Sequence, residues 1–110
     1  MNKENQSLFS ITSGKGFYMT FDNGFTVSVQ FGVYNYCENF TLDKTFDNNS
    51  TESKDAEVAC LNKKGRLISL EDFDKEIGDT VIGYLNTNEV LKFMNWVANL
   101  PPDYVDKRML

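Results

Sequence analysis

The chain reads as an α+β domain: an antiparallel sheet of four to six strands built from hairpins, with one C-terminal amphipathic helix packed on one face. Three observations predict it. Apolar residues alternate with period two on both sides of Asp22-Asn23-Gly24. A second pair of strand-like runs flanks Asn62-Lys63-Lys64-Gly65. The last third places apolar residues at helical spacing behind a capping signature and ahead of Pro101-Pro102.

Phe9 and Ile11 begin the alternation. After Gly14-Lys15-Gly16, Phe17, Met19 and Phe21 share one face, with Tyr18 and Thr20 on the other. Phe25, Val27, Val29 and Phe31 then alternate with Thr26, Ser28 and Gln30. Parity selects the turn. A two-residue Asn23-Gly24 loop would set Phe21 opposite Thr26 and split the apolar sets between two faces. A three-residue loop, Asp22 to Gly24, pairs Phe21 with Phe25, Met19 with Val27 and Phe17 with Val29. That loop needs a left-handed residue at its last position, which Gly24 supplies without steric cost.

The pattern stops from Gly32 to about Asp55. The first half of this stretch, through Phe40, is aromatic and expected to be ordered; residues 41–55 read as a mobile, solvated loop. Ala56–Leu61 and Arg66–Leu70 read as the two arms of a second hairpin, Glu71–Asp79 as an acidic connection, and Thr80–Leu85 as one more strand. Asn86 is a suitable helix N-cap, Glu89 completes a capping box, and Leu85 with Val90 fits a hydrophobic staple. Val90, Leu91, Met94, Val97 and Ala98 are expected to face the sheet, with Phe93, Trp96 and Leu100 widening the stripe. Pro101-Pro102 ends the helix. The whole reads as one domain over residues 1–110, with 1–7 as a disordered start and 103–110 as a tail.

Composition excludes several functions. The chain has 110 residues, 41% apolar and 14% aromatic, enough for one core without metal or disulfide staples. Eleven basic and sixteen acidic side chains leave a net charge of −5, which argues against direct nucleic-acid binding. There is no histidine, so Ser-His-Asp and Cys-His nucleophiles and all histidine metal sites are excluded. No cofactor, metal site or catalytic residue is expected. Met1 to Ser7 is polar, without the apolar run of a secretory signal, and no stretch has the length of a membrane span. A cytoplasmic, reduced location is therefore expected. Cys37 and Cys60 are read as buried free thiols, with a single Cys37–Cys60 bridge as the alternative.

Weak chemical signals each have a plainer reading. Ser13-Gly14-Lys15-Gly16 lacks the leading glycine, the following Ser or Thr and the helix of a phosphate loop, so it reads as a turn. Cys37 has a glutamate beside it and no base to activate it. Glu71, Asp72, Asp74, Glu76 and Asp79 miss the offsets of a calcium loop. Ten of the sixteen acids lie between Asp43 and Asp79, a surface suited to a basic groove on a partner or simply to water. The aromatic loop is the leading candidate: Tyr34, Tyr36 and Phe40 supply rings of the kind found at binding hot spots, and Asn35, Glu38 and Asn39 supply polar contacts. The alternative use of these rings is to cap the end of the core. Lys15, Lys63, Lys64 and Arg66 are the cations available to a small anionic ligand.

Gly14-Lys15-Gly16-Phe17, Phe21-Asp22-Asn23-Gly24, Val27-Ser28-Val29-Gln30-Phe31-Gly32 and Asn35-Tyr36-Cys37 together resemble short uncharacterised proteins of bacteriophages and related mobile elements. The likeness is strongest over residues 13–39 and continues through Ala56-Glu57-Val58-Ala59 and the Glu89–Leu100 segment. It implies a small non-catalytic accessory protein in the cytoplasm of an infected bacterium. The first expectation is an anti-defence inhibitor of the anti-CRISPR kind, binding a bacterial host protein stoichiometrically. The alternatives are a sponge for a signalling nucleotide and a minor phage structural protein. A homodimer through the helix's wide apolar stripe is a further expectation.

Overall fold

In the computed structural model, which describes residues 7–12, 16–41 and 52–106, five strands form one antiparallel sheet and a single α-helix packs on it. The strands are β1 (Leu8–Thr12), β2 (Gly16–Thr20), β3 (Thr26–Gln30), β4 (Asp55–Leu61) and β5 (Val81–Asn86), followed by α1 (Thr87–Ala98). Their order across the sheet is their order in the chain. This is the α+β class the residue pattern predicts. Lys15, and parts of the proposed start, mobile loop and tail (residues 1–6, 42–51 and 107–110), lie outside the described residues.

The first tight turn follows the parity argument. Phe17 pairs with Val29 and Met19 with Val27. The Phe21 N–H donates to Phe25 O at 2.9 Å and the Gly24 N–H to Phe21 O at 2.9 Å, closing a three-residue loop with Gly24 at φ 90°. Only that register puts Phe17 and Met19 on the face of Val27 and Val29, the face that Val58 and Cys60 share from β4.

The helix starts as the capping signature requires. The Asn86 side chain accepts the Glu89 N–H at 2.9 Å, and the Glu89 carboxylate accepts the Asn86 N–H at 2.9 Å. Its phase differs from expectation at one residue. Phe93 and Val97 are fully buried and centre the contact face, while Leu91 is exposed. The rotation is set by rings arriving from elsewhere: Phe73 meets Phe93 edge-on at 5.1 Å and Trp96 at 5.5 Å, and Tyr104 reaches Trp96 at 6.3 Å. Val90, Met94 and Trp96 pack half-buried against the core, and Leu91 is the member of the stripe left exposed.

The second hairpin forms its turn but not its second strand. The Asn62 N–H donates to Arg66 O at 2.8 Å and the Gly65 N–H to Asn62 O at 2.9 Å. Leu67 then makes one bridge to Leu61, and the Ile68 N–H reaches Cys60 O at 3.0 Å. Beyond that point β5 occupies the same side of β4, from Val81 opposite Ala59 to Asn86 opposite Asp55. The returning arm must leave the sheet, and it turns Ile68 and Leu70 into the core. The Ser69 N–H is taken up by the buried Asp106 carboxylate at 2.6 Å. The acidic connection is anchored too, since Phe73 and Ile77 pack against the core.

Cys37 and Cys60 are both buried and free. Burial pushes the Cys60 thiol up from 9.0 to about 12.

Candidate functional site: an anchored tyrosine loop

The segment leaving β3 folds back on itself because its own polar residues close it. The Asn35 carbonyl side chain accepts the Gly32 N–H at 2.9 Å, and the Asn35 N–H donates to Gly32 O at 3.1 Å. One 3₁₀ turn, Glu38–Thr41, follows. Acidic side chains of β4 then hold the loop against the sheet. The Glu57 carboxylate accepts the Tyr36 N–H at 3.0 Å and the Asn35 amide at 3.4 Å. The Asp55 carboxylate accepts the Glu38 N–H at 2.6 Å, and the Glu38 carboxylate accepts the Lys54 N–H at 2.9 Å.

The remaining anchor is a bulge in β5. Ala56 pairs with Leu85 and Val58 with Ile82, so Gly83 and Tyr84 together face the single residue Glu57. The Tyr84 N–H donates to Tyr36 O at 2.9 Å. Tyr36 passes so close that a Cβ on Gly83 would stand 2.5 Å from the Tyr36 Cβ, which only glycine avoids. Tyr84 itself is held at φ 61°, a left-handed conformation that costs an ordinary residue about 1–2 kcal/mol. Such strain persists where surrounding contacts over-determine it.

The outcome is a backbone fixed from both sides with rings left in solvent. Tyr34 is 73% exposed, Tyr36 49% and Tyr84 54%. Phe40 is half-buried and lies 5.3 Å from the Tyr36 ring. Of the polar candidates, Glu38 is exposed, Asn35 is half-buried, and both serve the loop's own bonds. Asn39 lies beneath the loop: it is buried, and its amide donates to Phe31 O at 2.7 Å and Glu52 O at 3.2 Å. Tyr84 is the member that residue patterning missed. It sits inside a strand, and the local signal of the bulge that turns it out is Gly83 before it, since a lone glycine within a strand marks a bulge or a close backbone approach.

The basic hairpin tip is a separate place. Lys63, Lys64 and Arg66 line a cavity of about 330 Å³ with Phe25, Ile68 and Tyr104. Asp106, on the same wall, opposes an anion there. Lys15 lies outside the described residues and cannot be placed with them. The Tyr104 phenol donates to the Asp72 carboxylate at 2.7 Å. Burial first, then that bond and the charges of Asp72 and Asp106, hold the phenol's pKa well above its ordinary value.

Among the described residues, no group of three or more His, Cys, Asp or Glu side chains is arranged to hold a metal ion, and no helix is long and apolar enough to cross a membrane. Set against protein-family models, curated proteins and solved structures, the chain matches none of them.

Proposed function

We propose that the chain is a non-catalytic binding protein that acts by stoichiometric protein–protein interaction through the Tyr34–Tyr36–Tyr84 surface. One observation carries this reading: the backbone of the loop is fastened at Asn35, Tyr36 and Glu38 while the tyrosine rings stay exposed. A backbone fixed before binding loses little freedom on binding, and tyrosine is among the residues enriched at interface hot spots. The target we propose is a bacterial host defence protein, the class that the resemblance read from residues 13–39 implies. The net charge of −5 favours a basic site on that target. The absence of histidine supports inhibition by occupancy over catalysis.

The test compares two baits. Tagged wild type and the Tyr34→Ala/Tyr36→Ala variant are passed over a bacterial lysate, and bound species are weighed by native mass spectrometry. A host protein held at fixed stoichiometry by wild type and lost from the folded variant is the expected result. Equal retention by both baits overturns the assignment of the loop.

A second reading, capture of a small anionic ligand such as a signalling nucleotide, is favoured by the convergence of Lys63, Lys64 and Arg66 on one cavity. An adduct of a few hundred daltons that disappears in Lys63→Glu/Arg66→Glu would put this reading first.

A further inference from the structure

We infer that a second copy of this chain pairs with β1, edge to edge and antiparallel about a two-fold axis through Ser10, joining two five-stranded sheets into one. The two edges of the sheet are treated differently. At β5 the loop closes the edge, where the Tyr84 N–H is bonded to Tyr36 O. At β1 nothing among the described residues does so: no backbone bond beyond the β2 ladder involves Leu8–Thr12. The strand reads Leu-Phe-Ser-Ile-Thr, with no charge and no proline, two of the devices that commonly blunt an edge. Phe9 is 76% exposed and Ile11 89%.

The pairing register follows from the ladder. Phe21 and Phe25 form a hydrogen-bonded pair at the turn, and such pairs recur every second residue, so Met19 and Phe17 turn their backbone groups to β3. Thr20, Tyr18 and Gly16 therefore turn theirs to Leu8, Ser10 and Thr12. That leaves the N–H and C=O of Phe9 and Ile11 pointing away from the sheet. Centred on Ser10, an antiparallel copy sets Phe9 opposite Ile11 of the second copy and Ile11 opposite its Phe9. All the outward backbone groups of both residues are then satisfied in one step. The same register stacks an aromatic against a β-branched side chain twice, a favoured cross-strand pair. Both pairs lie on the face that bears the core, beside the half-buried Met19 and Phe17, so they extend an apolar surface that α1 does not reach. The contact is isologous and closes at two copies. It is independent of the tyrosine surface, and either proposal can fail without the other.

The test is sedimentation of the purified chain over a concentration series, which should move from 12.6 kDa to twice that mass. The variant F9K/I11K puts lysine opposite lysine in this register and should remain at monomer mass. The variant F9K/I11E puts lysine opposite glutamate at the same two positions and should dimerise. Mixing F9K/I11K with F9E/I11E should give a heterodimer. Circular dichroism and thermal melting establish that each variant is folded. Wild type at monomer mass at every concentration overturns the proposal, including the case where β1 amides resist hydrogen exchange because the chain's own residues cover them. So does a dimeric F9K/I11K, which would place the interface elsewhere, or a folded but monomeric F9K/I11E, which would exclude this register.

Discussion

Asn23 joins the first hairpin to the far end of the helix, and replacing it separates two roles that one side chain performs. Its Nδ2 donates to Val97 O at 2.8 Å and Leu100 O at 2.9 Å, with a longer contact to Ala98 O at 3.3 Å. Its Oδ1 accepts the Phe25 N–H at 3.0 Å inside the turn. The last carbonyls of a helix have no partners within it, so this amide caps α1 from a loop more than seventy residues away in the chain. Two donor bonds and one acceptor bond are lost in Asn23→Ala. At about 1 kcal/mol net each, with partial replacement by water at this half-buried site, the loss comes to about 2 kcal/mol. For a domain of this size that lowers the thermal midpoint by about 10 °C.

Asn23→Asp decides between the roles. Aspartate keeps the acceptor for Phe25 and suits a turn as well as asparagine does. It loses both donors and sets a negative charge against the negative end of the helix dipole, which costs up to about 1 kcal/mol more. Asn23→Asp should therefore destabilise at least as much as Asn23→Ala. The assay is urea unfolding followed by the fluorescence of Trp96, the single tryptophan, which reports from the helix itself. The midpoint should shift while the slope stays constant. An Asn23→Asp chain as stable as wild type would refute the cap and leave Asn23 as a turn residue only.

Three further outcomes are expected. Tyr84→Asn fits the left-handed backbone better than tyrosine does, so it should leave stability unchanged or higher in a thermal melt while weakening capture of the partner. Gly83→Ala drives a methyl into Tyr36 and should cost about 1–3 kcal/mol, read from the same melt, together with loss of partner binding. Cys60 keeps its proton in the folded state up to about pH 12, whereas the unfolded chain releases it near 9.0. Between those values the folded state binds more protons, so stability falls as pH rises, by about 1.4 kcal/mol per pH unit from this group. Tyr104 adds to the fall at the upper end. Cys60→Ala should lower stability at neutral pH but flatten that alkaline decline in urea titrations; an equal slope in both chains would refute the linkage.

What could be read in advance was whatever a short stretch of chain decides for itself. The Asp22–Gly24 loop follows from the parity of neighbouring residues, and the capping box from two residues three apart. The apolar character of Cys37 and Cys60 follows from their surroundings. What could not be read depends on which distant element arrives first at a shared surface. Arg66–Leu70 has a strand's pattern, but β5 holds the side of β4 it would need. Leu91 has a core residue's spacing, but Phe73 and Tyr104 rotate the helix about Phe93 and Trp96. The loop from Tyr34 to Phe40 was legible as aromatic and ordered. Its rigidity was not, because that depends on Glu57, Asp55 and the Gly83–Tyr84 bulge, none of which lies within it.

The two proposed surfaces sit at opposite ends of one sheet, and that placement has a measurable consequence. Four inter-strand steps of about 4.8 Å put β5 and its tyrosines about 19 Å from the β1 edge. A copy joined at β1 leaves both tyrosine surfaces unobstructed, at the outer ends of ten strands. On an immobilised target the second engagement is then intramolecular, and apparent affinity exceeds that of a single site. F9K/I11K should dissociate faster than wild type from a densely coated surface, by about one to two orders of magnitude. It should bind free monomeric target in solution as tightly as wild type does. Tyr34→Ala/Tyr36→Ala should lose both. Should F9K/I11K weaken binding to the free target as well, β1 belongs to the partner's footprint and the two ends of the sheet do not act separately.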